Sequence, residues 1–207
     1  MIDLVIKNES VAFVGNAKTL IGTGLGAEID SFDFVIRTNI YPIPEERQKD
    51  YGSKCDILSV LHREQYFKNI TNFIADGGRM FFIYDKNTPI PKNICYIQHF
   101  DEDTRQARRH LILKVLKEDP NYLTAGHEAM FFCLESGVKR FKFFGIDGYQ
   151  SSKGVLAESY SNYLYNNLIP KPADNKFHNF AVLNKYVTFL LQNGIIEIDE
   201  YSKKYFL

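Results

Sequence analysis

Tryptophan is absent from this 207-residue chain, and cysteine is scarce: Cys55, Cys95 and Cys133 are three in all. An odd number at wide spacing, with no CxxC pair, makes neither a disulfide framework nor a zinc pattern. Each lies in an apolar stretch and reads as a buried free thiol, which fits a reducing compartment. An excess of charge is also missing, because 25 Lys plus Arg balance 25 Asp plus Glu. That balance argues against a nucleic-acid binder held by bulk electrostatics. No apolar run approaches the roughly 18 residues of a membrane-spanning helix; the densest is Ala129 to Leu134. No basic start leads into an apolar stretch, so no signal peptide is visible. The expected location is the cytoplasm, with peripheral contact at the inner face of a membrane. The common phosphate and metal motifs are missing too. There is no GxxxxGK[ST] and no HExxH, and Gly22, Gly24 and Gly26 are spaced GxGxG, too far after a strand for a dinucleotide fingerprint.

What is present is enough apolar material for a core, 45% of residues, arranged in short continuous runs. Val11 to Gly15, Phe34 to Arg37, Asp56 to Val60, Arg79 to Tyr84, Ile94 to Gln98, Arg140 to Phe144 and Ile195 to Ile198 read as strands. A Gly-rich turn and short helix follow the first, from Asn16 to Ile29. Thr38 to Lys54 reads as a loop holding Pro42 and Pro44. Helical patterns cover Glu64 to Ala75, Thr104 to Lys117, Gly126 to Ser136 and His178 to Gln192. Strands alternating with helices predict an α/β fold: a single Rossmann-like domain over residues 1–207, with a mostly parallel sheet and helices on both faces. The polar, Tyr-rich segment 151–176 is a candidate lid.

In such folds ligands bind at the carboxyl ends of the strands. Gly15-Asn16 and Asn39 follow the first two strands. There they either read a nucleotide by neutral hydrogen bonds or cap turns. Thr124-Ala125-Gly126 opens a helix, where an N-cap and a phosphate site are compatible readings. Gly145, Asp147 and Tyr149 follow the sixth strand: a turn, or contacts to ribose and phosphate. His62 ends a strand, and His127, in a first helical turn, reads as neutral and packed. His178 opens the last helix after the polar segment; general base and helix cap are both open there. Asp101-Glu102-Asp103 has the spacing of a metal-binding pair but starts a helix, where acidic residues are expected for dipole reasons. The helix that follows carries Arg105, Arg108 and Arg109, read as a solvated face or as a contact to an anionic surface.

Residues 11–42 (VAFVGNAKTLIGTGLGAEIDSFDFVIRTNIYP) and Asp50 to Lys54 (DYGSK) resemble the large sialylmotif of animal-type sialyltransferases. Residues 123–149 (LTAGHEAMFFCLESGVKRFKFFGIDGY) are similar to the small sialylmotif, and Gly-Ile-Asp-x-Tyr-Gln at 145–150 also resembles bacterial lipo-oligosaccharide sialyltransferases. The resemblance implies a CMP-sugar-dependent transferase. Gly15, Asn16 and Asn39 would bind the donor, Thr124, Ala125 and Gly126 would form its second turn, and Gly145 and Asp147 would face the cytidine. Tyr149 and Tyr160 would stabilise the leaving phosphate, with Tyr163 and Tyr165 competing for the second place, and His178 would be the base. Ala125 stands where the family has a hydroxyl, Leu183 stands where the animal-type motif has Glu, and Ser10 and Val11 stand where its first disulfide Cys is expected.

The implied reaction is inverting transfer of sialic acid from CMP-sialic acid to a glycan or glycolipid hydroxyl, with no cofactor and no metal. Helix dipole and tyrosine hydroxyls would stabilise the phosphate instead. The alternatives are a transferase using CMP-Kdo, a non-catalytic CMP or nucleotide-sugar binding module, and an enzyme using NAD or S-adenosylmethionine.

Overall fold

The computed structural model describes residues 5–38, 41–60, 67–78, 80–83, 96–99, 102–148, 150 and 178–207. Seven strands form one sheet: β1 (Ser10–Val14), β2 (Phe34–Thr38), β3 (Ile57–Val60), β4 (Met80–Ile83), β5 (Tyr96–His99), β6 (Arg140–Phe144) and β7 (Glu197–Ile198). Their order is β5-β4-β3-β2-β1-β6-β7, and all six pairings are parallel. The helices are α1 (Gly26–Asp30), α2 (Glu45–Tyr51), α3 (Phe67–Ala75), α4 (Glu102–Leu116), α5 (Ala125–Glu135), α6 (Phe180–Gln192) and α7 (Glu200–Lys203), with a 3-10 turn at Lys18–Leu20.

The apolar runs are continuous because both faces of the sheet are covered. Successive strand residues point to opposite faces, so β1 divides its side chains between two cores. Val11 and Phe13 join Phe141, Phe143 and the apolar faces of α5 and α6. Ala12 and Val14 join Leu20, Ile29, Tyr51 and Phe144 on the other side. The expected α/β architecture is therefore present, with every described pairing parallel. Among the described residues no helix is long and apolar enough to cross a membrane.

Two expectations need correction. The stretch Thr38 to Lys54 is not all loop, since Glu45–Tyr51 forms α2. Its buried residues are Asp50 and Tyr51, a carboxylate and a phenol, so it carries no apolar stripe to detect. The arginines of α4 do not form a solvated face. Arg108 is buried and reaches Glu128 and Glu135, Arg105 reaches Glu128 at 3.1 Å, and Arg109 holds Asp119. Carboxylates pair with each of these three cations.

Candidate active site

The chain leaves β1 for β2 on one side and returns to β6 on the other. A crevice opens at the carboxyl ends of strands where the order reverses in this way. Here the two strand ends touch through their backbones. The Gly15 N–H donates to the Phe144 carbonyl at 2.8 Å, and the Ala17 N–H to the Gly145 carbonyl at 3.0 Å. A Cβ on Gly15 would lie 2.5 Å from the Gly145 oxygen. Gly145 itself has φ +62°, a left-handed conformation that glycine adopts without strain. Both glycines are thus required by the close approach, whatever binds above them.

Asn16 follows directly. Its Nδ2 donates to the Thr38 carbonyl at 3.1 Å and lies 3.3 Å from the Thr38 hydroxyl. The side chain thereby ties the end of β1 to that of β2. On the other side, Asp199 accepts the Gly145 N–H at 2.9 Å and the N–H groups of Tyr201 and Ser202. Beyond it the Asp147 carbonyl accepts from the Gln150 N–H at 3.0 Å, so Asp147-Gly148 is a turn, with Asp147 buried.

The Gly22, Gly24 and Gly26 stretch does not cradle a phosphate. The N–H groups of Gly22 and Gly24 each donate to the Asp50 carboxylate at 2.8 Å. Gly26 is where α1 meets α2, since a Cβ there would lie 2.0 Å from the Gln48 carbonyl. The rest of DYGSK is occupied in the same way. Tyr51 donates its hydroxyl to the Ala17 carbonyl at 2.7 Å, Ser53 and Lys54 donate N–H groups to Asp30, and buried Arg37 donates to the Tyr51 and Lys54 carbonyls. Burial pulls Arg37 below the ordinary guanidinium value.

Thr124 caps α5. Its Oγ1 accepts the His127 N–H at 3.3 Å and lies 2.7 Å from His127 Nδ1. Burial, with His178 nearby, pushes His127 down to about 4, so this imidazole is neutral near pH 7, as read from the sequence. Neutrality suits the positive end of a helix dipole. Gly126 lies against β1: a Cβ there would be in ordinary contact with Phe13 at 3.4 Å.

His178 sits beside this helix end. Its Nδ1 is 2.8 Å from the Tyr122 carbonyl, and a short bridge pairs it with Asn121. A carbonyl only accepts, so Nδ1 carries the proton and Nε2 is the basic nitrogen. Burial pulls the imidazole below its ordinary value, the Tyr122 carbonyl opposes that, and Arg105 adds to it. Leu183 is in the core, with no exposed surface, so no carboxylate serves His178 from that position. Among the described residues, no group of three or more His, Cys, Asp or Glu is placed to hold a metal ion. The Cys133 thiol is buried, and burial pushes Cys55 up to about 12.

The fold therefore brings Thr124, Ala125, Gly126 and His178 together at one helix end, and Gly15, Asn16, Gly145 and Asp147 together at the switch between β1 and β6. Asn39, Tyr149, Tyr160, Tyr163, Tyr165, His62, Cys95, Asp101 and the candidate lid 151–176 lie outside the described residues. Sequence reasoning missed Asp199, what Asp50 does within DYGSK and the partners of the α4 arginines. These contacts span 10 to 54 residues of chain, with no local spacing signal.

Residues 7–90 match the model of glycosyltransferase family 29 (sialyltransferase). The chain is 28% identical to mouse alpha-2,8-sialyltransferase 8F over an alignment covering 93% of the chain and 52% of that protein. It is 45% identical to human alpha-2,8-sialyltransferase 8E over 49 residues, 24% of the chain and 13% of that protein. The chain thus spans about half the length of the mouse relative. A mammalian sialyltransferase solved with Gal-beta-1-3GalNAc-ortho-nitrophenol superposes with a TM-score of 0.58 at 19% identity, covering 96% of this chain and 71% of that one. The sialyltransferase CstII from Campylobacter jejuni, solved with cytidine-5'-monophosphate, superposes with a TM-score of 0.54 at 15% identity, covering 93% and 79%. Residues 7–90 are thus similar in sequence to glycosyltransferase family 29, and over nearly its whole length the chain has the fold of the sialyltransferase structures.

Proposed function

We propose that this chain is an inverting, metal-independent glycosyltransferase that moves sialic acid from CMP-sialic acid to a glycan hydroxyl. The observation that carries the reading is the contact of His178 Nδ1 with the Tyr122 carbonyl. With Nδ1 bonded to the Tyr122 carbonyl, Nε2 is the nitrogen able to take a proton, and it stands beside the N-terminus of α5. In this reading the acceptor oxygen forms a bond to the anomeric carbon as the bond from that carbon to the phosphate oxygen breaks. The acceptor proton passes to Nε2, and the electron pair leaves with CMP. Gly15, Asn16, Asn39, Gly145 and Asp147 hold the nucleotide and sugar. Thr124, Ala125 and Gly126 present the positive helix end to the phosphate, and Tyr149 and Tyr160 donate hydroxyls to it. The CMP and the acceptor sugar bound by structures of the same fold support a nucleotide-sugar donor and a glycan acceptor.

The test is CMP release from CMP-sialic acid, with EDTA present, using Gal-beta-1-3GalNAc and N-acetylneuraminide-terminated acceptors. Loss of a general base costs about 10²–10⁴-fold in rate. His178→Ala is expected to lose turnover in that range while CMP affinity by calorimetry stays within about threefold. A protein that binds CMP, turns over no donor and is indifferent to the substitution is a binding module instead. Because burial lowers the His178 pKa, the base stays deprotonated into mildly acidic solution. Activity should fall only as pH drops through a value below the ordinary 6.5 of histidine. An acid limb above 6.5 contradicts the assignment.

A further inference from the structure

This inference rests on the reading of His178 as the base and asks what holds that imidazole in place. The partner of Nδ1 is not a carboxylate but a backbone carbonyl, that of Tyr122. A carbonyl orients a ring only as well as its own peptide is held, and Tyr122 lies in the short connection between α4 and α5. Its side chain is exposed and gives no anchor.

The connection is held from three sides. From α4, Arg109 reaches Asp119 with a forked contact: Nε donates to Oδ1 at 2.8 Å, and Nη2 donates to Oδ2. Within the turn, Asp119 Oδ1 also accepts the Asn121 N–H at 2.8 Å, and Asn121 has φ +59°. From the start of α6, Asn179 donates Nδ2 to the Asp119 carbonyl and its own N–H to the Pro120 carbonyl, each at 3.0 Å. Asn179 Oδ1 accepts the Val182 N–H and caps α6. The residue next to the base and the residue next to the base's partner are thus tied to the same four-residue turn, and the turn is tied to α4 by one guanidinium. The bond to Arg109 holds the Asp119 carboxyl below the usual carboxylate value, so the clamp is charged near neutral pH.

We propose that Asp119, clamped by Arg109, is a positioning residue for His178: it fixes the Tyr122 carbonyl and so the tautomer and direction of the imidazole. Neither residue touches the reacting atoms. A displacement on the order of 1 Å at a reacting group costs about 100-fold in rate, so the clamp acts on kcat rather than on donor affinity.

Asp119→Asn tests this, because the amide oxygen can still accept the Asn121 N–H while the fork to Arg109 is lost. The expected result is a fall in kcat of about 10- to 100-fold, unchanged CMP affinity and donor KM, and a wild-type far-UV circular dichroism spectrum. The readout that a merely structural role would not move is the imidazole nitrogen NMR of His178. Wild type should show a single tautomer protonated on Nδ1, and Asp119→Asn a mixture of both. If Asp119→Asn does not fold, Arg109→Lys keeps the charge but not the fork and should move kcat and the tautomer the same way by a smaller factor. A folded Asp119→Asn, or Arg109→Lys, with wild-type kcat and an unmixed tautomer overturns the proposal. Failure of the base assignment looks different, because His178→Ala would then retain turnover. The nitrogen spectra need no turnover and decide the positioning role in either case.

Discussion

Two regions of the chain carry the family resemblance, and they use their polar residues in opposite ways. Between residues 10 and 60 the motif residues face one another. Asp30 takes the N–H groups of Ser53 and Lys54, Asp33 takes the N–H and hydroxyl of Ser10, Asp50 takes two glycine N–H groups, and Arg37 takes two carbonyls. Buried polar groups must be satisfied, and here the motif satisfies itself. Around residues 119–128 and 178 many polar groups sit at helix ends instead, and the Tyr122 carbonyl meets Nδ1 of a histidine. A motif match therefore marks two different things in one chain. In the first region most of it marks the framework that shapes the β1 turn, beside the proposed donor contacts of Gly15 and Asn16, and in the second it marks the helix ends where the proposed base and phosphate site would lie.

That contrast can be broken by experiment. The largest effect is expected at Glu128, which is fully buried against Arg105 and Arg108 although it lies in the second region. Removing one member of a buried ion pair costs about 3–5 kcal/mol. Glu128→Ala should show that loss in urea unfolding, and a loss under about 1 kcal/mol would mean that α4 does not lean on this pair. Next is Asp50→Ala, which removes the acceptor of two N–H groups on exposed glycines at a cost of about 1–2 kcal/mol. Burial raises the Asp50 pKa, but those two N–H bonds together with nearby Lys49 and Arg47 outweigh it, so the folded value lies below the ordinary 3.8. Its stabilisation is full above 3.8 and lost as pH falls through the lower folded value. The stability gap between wild type and Asp50→Ala should therefore be constant near neutrality and close in acid. A gap that widened in acid would contradict the assignment.

Gly15→Ala pushes a methyl into the Gly145 backbone. It should cost about 1–3 kcal/mol and weaken CMP binding as well, since it spreads the strand ends that form the crevice. Equal CMP affinity in a destabilised Gly15→Ala protein would separate the crevice from the donor. The smallest effect belongs to Gly126→Ala, whose methyl meets Phe13 at ordinary contact distance. Alanine is favoured over glycine in a helix by up to about 1 kcal/mol, so thermal unfolding should be unchanged or slightly raised. A large loss there would show that the α5 N-terminus is as tightly built as the β1 turn.

The strands were legible because both faces of the sheet are buried, which turns VAFVG into an unbroken apolar word and leaves RFKFF rich in phenylalanine despite its two cations. The α2 helix was not, because its inward side carries Asp50 and Tyr51 between prolines and charges. The cap at Thr124 could be read from local chemistry, and α6 was placed to within two residues: it opens at Phe180 behind the Asn179 cap, with His178 just outside it. The Tyr122 carbonyl could not, because nothing in a sequence marks which backbone oxygen a ring will meet 56 residues away. The α4 arginines misled for a related reason: a basic helix looks solvated until its carboxylates are found on another element. Asp199 illustrates the same limit, because it caps its own helix and holds Gly145 from 54 residues further on.

The place of β1 has a consequence for how the chain is made. Its left neighbour, β2, begins at Phe34, but its right neighbour, β6, begins only at Arg140. A chain emerging from the ribosome can dock β1 on β2 early, yet the other edge of β1 waits through about a hundred further residues. An open strand edge is a template for pairing with other chains, and such distant pairing is slow to form. Truncations ending before residue 140 should therefore aggregate through β1, and the crevice between β1 and β6 should be among the last features to appear on refolding.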